Sequence, residues 1–537
     1  MSSAAVLLPL VPALPLVWAA LTLLPRARAL VAATAAIPAL PALLAAGVVP
    51  EGAGATTDWL LLGTEWRLEG PGRPLLAVSG LLWAAAGLFG RGYLAGKVGR
   101  WRFDGFFHLT MAGSLGLIVA VDAVGFYTLF ALMSLASYGL VVHHGDTEAR
   151  RAGRVYITLA VAGEVGLLVG LVGLNGGFPG AWPALALGLA IKAGLLPLHV
   201  WLPLAHPVAP VPASAVLSGA MVKAGLLGWL RFPPPEASEF WGLMLAGLGA
   251  VGALYAGLVG LTQTRPKVVL AYSTVSQMGV MAAALGLAWA HPQLAGLSGV
   301  VVAYAVHHAL TKGTLFLAVG WLEAGGGPAA RLTVWLGALV MAGLPATGGA
   351  AAKALLKGPL GSLPLGAELT GWWLTASAVI TALLMARLLA VLPAAGTGTA
   401  RSLGLATLGL AVAMVALPWA WPPLAEGAAY SVTKGLVSAL EPLAVAGVAA
   451  AVLIGWRRAR PWGPAVPVGD LLALLPGPVP WRPLPAVPMR RIKGRIRQEL
   501  GEASGRLRRG EAALAGWGAT GVVLLAMAAA LGGLLAR

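Results

Sequence analysis

Long apolar stretches alternate with short polar breaks along almost the whole chain. A helix needs roughly 20 apolar residues to cross a bilayer core, and about 16 stretches reach that length. They lie near 4–24, 28–49, 73–92, 105–121, 124–143, 155–175, 183–202, 210–231, 238–261, 268–290, 297–320, 333–357, 370–392, 402–421, 436–456 and 514–535. The break between 105–121 and 124–143 is the faintest of these. The pattern predicts an all-α polytopic membrane protein. Met1 to Leu24 has no basic residue ahead of its apolar run, so it is expected to be a first span and not a cleaved signal peptide.

Charge orders the loops. With the N-terminus outside, the loops after odd-numbered spans face the cytoplasm. They hold Arg26 and Arg28; Arg91, Lys97, Arg100 and Arg102; Arg150, Arg151 and Arg154; Arg265 and Lys267; then Arg331 and Arg401. The last of them, 457–513, holds twelve more Lys and Arg. Opposite loops carry Glu51, Asp58, Glu65 and Glu69, or Glu236 and Glu239. This is a positive-inside pattern, with both termini outside a bacterial-type inner (cytoplasmic) membrane. The 457–513 segment opens proline-rich, from Pro461 to Pro488, and continues as a charged helix from Met489 to Ala513. It reads either as a linker on the headgroups or as a lateral docking arm for neighbouring subunits.

Composition agrees. Of the 537 residues, 58% are hydrophobic and 10% charged, against about a quarter charged in soluble domains. Mean hydropathy is +0.84. The 74 glycines suit close helix contacts in lipid. With no cysteine, the chain holds no disulfide, thiolate metal site or cysteine-bound iron–sulfur cluster of its own. No nucleotide loop or redox motif stands out either, so no metal or cofactor is expected. The net charge of +17 falls largely in loops and in the late basic segment. It fits anionic lipid and does not point to nucleic acid.

Several ionisable residues fall inside the expected spans: Glu164, Lys192, Lys223, His307, His308, Lys312, Lys353 and Arg387. A charge at the bilayer centre costs at least ~2.5–3.5 kcal/mol on insertion scales. These side chains must therefore face a polar interior. A lysine held out of water gives up its proton more readily, and a nearby carboxylate opposes that. Arginine stays protonated. A row of buried lysines with histidine is suited to passing protons along. A single histidine also serves as a packing element, and a single lysine near a span end can snorkel. Packing accounts poorly for so many together.

Two of these spans carry Gly and Pro beside the lysine. Lys192 stands in Ile191-Lys192-Ala193-Gly194-Leu195-Leu196-Pro197, and Lys353 follows Gly343-Leu344-Pro345-Ala346-Thr347-Gly348-Gly349. Both read as interrupted helices, which at membrane depth line polar cavities. Lys192 and Lys353 are 161 positions apart, and Lys223 and Arg387 are 164 apart. Two inverted five-helix repeats, 105–231 and 268–392, explain the recurrence. Around them lie N-terminal helices (1–104), a connecting helix (232–267), C-terminal helices (393–456), the basic segment (457–513) and a final span (514–537). His308 and Lys312 share one helical face, with Tyr304, Thr311 and Thr314 in the same polar stripe.

The stretch Ile191 to Arg231 resembles the signature of the antiporter-like subunits of respiratory complex I, Mrp-type cation/proton antiporters and membrane-bound hydrogenases. The matching elements are Lys192, Pro197-Leu198-His199-Val200-Trp201-Leu202-Pro203, Ala205-His206, Ala209-Pro210, Ser214-Ala215 and Met221-Val222-Lys223. Leu270 to Gly279, His308-Ala309-Leu310-Thr311-Lys312 and Ala342 through Lys353 are similar to further motifs of the family, over about 75–395 in all. The resemblance implies a proton relay across the membrane centre. Lys192 is its first broken-helix lysine, Lys223 and His308 its middle, and Lys353 its terminal group, a lysine where some members have glutamate. Lys312 joins the relay, with His199, His206, His307 and Arg387 as auxiliary candidates.

Two departures matter. The family's glutamate partner for the first lysine falls at Ala131 here, and Glu164 on the next span is expected to replace it. Many members also carry an acidic residue where Arg265-Pro266-Lys267 stands. The leading expectation is a proton-translocating subunit of an Mrp-like or complex I-like assembly, with other membrane subunits, protons and lipid as its partners. The missing glutamate favours a hydrogenase-type, Mrp-type or carbon-uptake assembly over ordinary complex I. Alternatives are a Na+/H+ antiport subunit, a gradient-coupling subunit for CO2/bicarbonate uptake, and a scaffold without transport. A catalytic site within the chain is not expected.

Overall fold

A computed structural model describes residues 3–58, 63–236, 238–360, 367–394, 401–421, 447 and 466–474. Met1–Leu474 forms one compact unit. Every expected stretch up to 402–421 coincides with a helix or a helix pair. The stretches 436–456, apart from residue 447, and 514–535 lie outside the described residues, as does the helix expected from Met489. Among the described residues, ten helices have the length and apolarity to cross a membrane, and a pair bent by 64° makes an eleventh.

The helices run α1 (Leu7–Leu21), the bent pair α2 (Arg28–Ala33) and α3 (Leu40–Val48), α4 (Gly72–Tyr93), α5 (Arg100–Val119), α6 (Ala123–Val141) and α7 (Thr147–Asn175). Next come α8 (Trp182–Ala193), α9 (Trp201–Val208), α10 (Val211–Val216), α11 (Lys223–Arg231), α12 (Ser238–Leu261), α13 (Pro266–Ala290) and α14 (Leu297–Glu323). The series closes with α15 (Gly327–Ala342), α16 (Gly348–Leu360), α17 (Ala367–Ala390) and α18 (Arg401–Ala420).

Asp122 makes the faint break between α5 and α6 definite. Its Oδ1 accepts from Gly125 N at 2.6 Å, capping α6, and its Oδ2 accepts from Glu65 N at 3.0 Å. A carboxylate on a helix N-terminus satisfies orphan N–H groups and the helix dipole together. Asp146 caps α7 in the same way. The Glu65 contact belongs to a small antiparallel hairpin, β1 (Gly54–Thr57) with β2 (Thr64–Arg67), which pairs Ala55 with Trp66. The helical pattern gave no sign of this hairpin in the first acidic loop.

Lipid exposure sorts the helices. α13, α14 and the α10–α11 span are buried almost along their whole length, whereas α7, α12 and α17 turn much of their surface outward. On α7, Val161, Val165, Leu168 and Val172 are exposed, while Tyr156, Ala160, Gly163, Glu164, Leu167 and Leu171 form the inward stripe. That spacing is a helical face. Glu164 thus sits on the inner side of a peripheral helix.

Candidate proton-transfer site

Both interrupted helices break in the same way. α8 ends at Gly194, with φ +70°, and α15 ends at Gly343, with φ +100°. In each, the following leucine closes the end: Leu195 N donates to Ala190 O, and Leu344 N donates to Leu339 O, both at 3.0 Å. A left-handed residue is required here, and glycine adopts it without strain.

Lys192 lies in the last turn of α8 and is buried. It lines one small cavity with Glu164, Phe130, Tyr156 and Trp201. Its Nζ is 5.5 Å from the Phe130 ring centroid and 5.8 Å from that of Tyr156. Glu164 Oε2 is buried without a hydrogen-bond partner. The two helices meet closely because Gly188 has no side chain: a Cβ there would lie 2.5 Å from Gly163 O. One turn along α8 from Gly188 stands Lys192, and beside Gly163 stands Glu164. The carboxyl and the ammonium therefore face one cavity from neighbouring helices.

Lys223 begins α11, one residue beyond a π-helical turn at Leu217–Met221. Such turns hold a surplus residue and re-aim side chains. Lys223 Nζ lies 2.6 Å from His308 Nδ1 and donates to Ser218 O at 2.7 Å. His308 Nε2 is buried and free of hydrogen bonds. Lys312, one turn along α14, is fully buried and donates to Leu270 O at 3.0 Å. That carbonyl also accepts from Thr274 Oγ1, which pairs with Ser218 Oγ at 2.8 Å. A continuous polar thread thus joins Lys223, Ser218, Thr274 and Lys312.

His307 faces the other way. Its Cε1 would lie 3.3 Å from a Cβ on Gly349, at the start of α16, and Lys353 and Lys223 are both within its electrostatic reach. Lys353 is half-buried and donates to Ala342 O, the last carbonyl of α15, at 2.7 Å. His307 therefore stands between the middle pair and the second broken helix.

The remaining auxiliary residues make no hydrogen bond to this row among the described residues. His206 is buried and stacks on Phe316 with centroids 4.6 Å apart, both ring nitrogens free of hydrogen bonds. Arg387 donates to Gln263 O at 2.8 Å and so braces the α12–α13 connection. His199 Nε2 meets Asp470 Oδ2 at 3.1 Å. In the Arg265-Pro266-Lys267 loop, Lys267 donates to Ala209 O and Arg265 pairs with Glu148, so the acidic partner comes from the first turn of α7.

Sequence reasoning gave no role to Ser218, Thr274, Gln277 or Asp470. Gln277 takes the Tyr304 hydroxyl on Oε1 at 2.6 Å and donates to Thr381 at 3.0 Å, joining α14, α13 and α17. A signal for these was present: Tyr272, Ser273, Thr274, Ser276 and Gln277 crowd into one apolar span. Asp470 gave no such signal.

Residues 177–384 match the family described as NADH:quinone oxidoreductase/Mrp antiporter, TM. Over 244 residues the chain is 35% identical to hydrogenase-4 component B of Escherichia coli, covering 40% of this chain and 36% of that one. It is 29% identical over 285 residues to an NAD(P)H-quinone oxidoreductase chain 4 of Synechococcus, covering 48% and 52%. Each match spans only about a third to a half of the relative's length. A chain in the solved Mrp complex of Dietzia has the same fold, with a TM-score of 0.69 at 23% identity, over 99% of this chain and 63% of the other.

Proposed function

We propose that this chain, which belongs to the antiporter-like superfamily of complex I, Mrp antiporters and membrane-bound hydrogenases, conducts protons across the membrane as one subunit of a larger assembly. The observation that carries the reading is the contact of Lys223 Nζ with His308 Nδ1 at 2.6 Å. Two buried nitrogen bases at that distance share a proton, and among the described residues no carboxylate lies within ion-pair reach of Lys223. Removing such a pair from water has no packing benefit that an apolar pair would lack. It does supply a site where one proton resides on either nitrogen.

The row then works as follows. Glu164 and Lys192 exchange a proton across their common cavity. Lys223, His308 and Lys312 hold and pass it at the centre. His307 connects the centre to Lys353. The basic loops lie on the cytoplasmic side of the inner membrane, and the assembly is of hydrogenase or Mrp type, given Ala131. Proton flux through sealed vesicles carrying the full chain in its native assembly tests the reading, followed with a pH-sensitive dye after an imposed pH step. Replacing Lys223 with alanine lowers flux by roughly a hundredfold, the lower range for losing a proton-transfer group. Undiminished flux in a normally assembled variant would overturn the proposal.

A further inference from the structure

The described part of the late basic segment does not stay outside the bundle. Residues 466–474 fold back into it. Gln263 donates to Val466 O at 3.0 Å, and Asp470 N donates to Pro467 O at 2.9 Å, closing a turn around Gly469, with φ +89°. The turn delivers Asp470, only 5% exposed, against α12, α13 and the start of α9. Asp470 Oδ2 accepts from Tyr255 OH at 2.9 Å and meets His199 Nε2 at 3.1 Å, while Oδ1 accepts from Leu471 N at 2.8 Å.

Depth follows from helix geometry. Tyr255 stands six residues before the end of α12, and Tyr272 six residues after the start of α13. At 1.5 Å rise per residue, each lies about 9 Å inside the helix ends on the basic-loop face. The His199 ring lies 5.9 Å from that of Tyr255 and 6.4 Å from that of Tyr272. A carboxylate has thus been carried that far into the bundle by a segment remote in sequence. His199 is fully buried, and its Nδ1 has no hydrogen-bond partner. Position matters as well: His199 and Lys192 flank the same helix break, and Trp201, two residues beyond His199, donates to Ile191 O at 2.8 Å and lines the Lys192–Glu164 cavity.

We propose that Asp470 and His199 form the proton port of the first half of the path on the basic-loop face, with residues 466–474 as the strap that completes it. The inference rests on the proton-conduction reading above. With Nε2–H donating to Oδ2, the Nδ1 lone pair is buried and open to a proton. A proton arriving at Nδ1 is matched by release of the Nε2 proton to Oδ2, and Asp470 passes that proton to the basic-face solvent. The reverse sequence admits a proton. With Nε2 held by a carboxylate, Nδ1 is the ring nitrogen left to take a proton; His206, whose ring nitrogens are also bare, stacks on Phe316 and has no carboxylate partner among the described residues.

The test uses the same vesicles, with the full chain in its native assembly. Asp470→Asn keeps the shape and, with its amide oxygen in the Oδ2 position, the contacts to Tyr255 and His199; it gives up only the acceptor for Leu471 N, cannot carry the proton, and its flux falls roughly tenfold or more. Asp470→Glu retains much of the flux. In Asp470→Ala, added formate restores flux, because a small carboxylic acid can take the vacated place. Normal flux in Asp470→Asn overturns the proposal. So does an Asp470→Ala variant that assembles and melts normally, loses flux and is not rescued by formate. Lys223→Ala run in parallel separates the two readings: loss there with normal flux in Asp470→Asn removes the port alone, whereas normal flux in Lys223→Ala removes the relay reading.

Discussion

The two broken helices share a backbone and differ in how they hold their lysines. Both first halves end in Ala-Gly-Leu with a left-handed glycine. Lys192 stands two residues before its glycine, within the first half, whereas Lys353 stands ten residues beyond its own, in the second half. Lys353 nevertheless reaches back to Ala342 O, the carbonyl end of its first half-helix, while Lys192 stands in the last turn of its own. That end carries partial negative charge and favours a cation. What differs is the second partner. Lys192 shares a cavity with Glu164, a counter-charge that can itself take a proton. Lys353 has a fixed carbonyl and the neighbouring His307. One site is governed by a titratable carboxyl, the other by a dipole that cannot be switched off.

If that contrast holds, the largest effect is on stability at the first site. Lys192→Leu leaves Glu164 with no cation across its cavity and lowers stability by about 3 kcal/mol, the low end for a buried pair because the two groups share a cavity without ion-pair contact. The double replacement with Glu164→Leu recovers a substantial part. Unfolding in detergent, followed by tryptophan fluorescence, reads both. Lys353→Leu leaves only a carbonyl behind and lowers stability by about 1–3 kcal/mol, with no recovery from Glu164→Leu. Equal losses at both lysines would erase the distinction.

A smaller effect tests the shared backbone. Gly194→Ala and Gly343→Ala each lose about 1–2 kcal/mol, since both force a side chain into the left-handed region. A clear difference between them would show that the two breaks are held differently. Smallest of all is Glu148→Gln, which removes the exposed partner of Arg265 and shifts stability by no more than about 1 kcal/mol. It calibrates what a charge change does outside the bundle.

Much of this was legible in the sequence because lipid imposes one rule everywhere. Apolar runs of membrane length gave the spans, and charges within them gave Lys192, Lys223, His308, Lys312 and Lys353 as candidates. The Glu164–Lys192 cavity was legible through adjacency, as successive spans pack together. Arg387 reaches the Gln263 carbonyl, a partner that a residue count along the chain could not foresee. His307 and His308 stand one position apart, about 100° around a helix, and only packing reveals which neighbour each meets. The His199–Asp470 contact spans 271 positions, and nothing periodic links a proline-rich loop to a helix break. The hairpin at Gly54–Arg67 was hidden for the same reason, being too short to leave a pattern.

The π-helical turn at Leu217–Met221 leaves the central helix holding one surplus residue. A helix with one surplus residue can pass that surplus along its length, as a wrinkle moves through a carpet, without shifting either end. Each step turns the residues it crosses by about 100° about the axis. Lys223 stands just past the wrinkle. Carrying the surplus beyond it would swing the ammonium away from His308 while α10 and the far end of α11 stayed docked, opening the circuit at its centre by rotation alone.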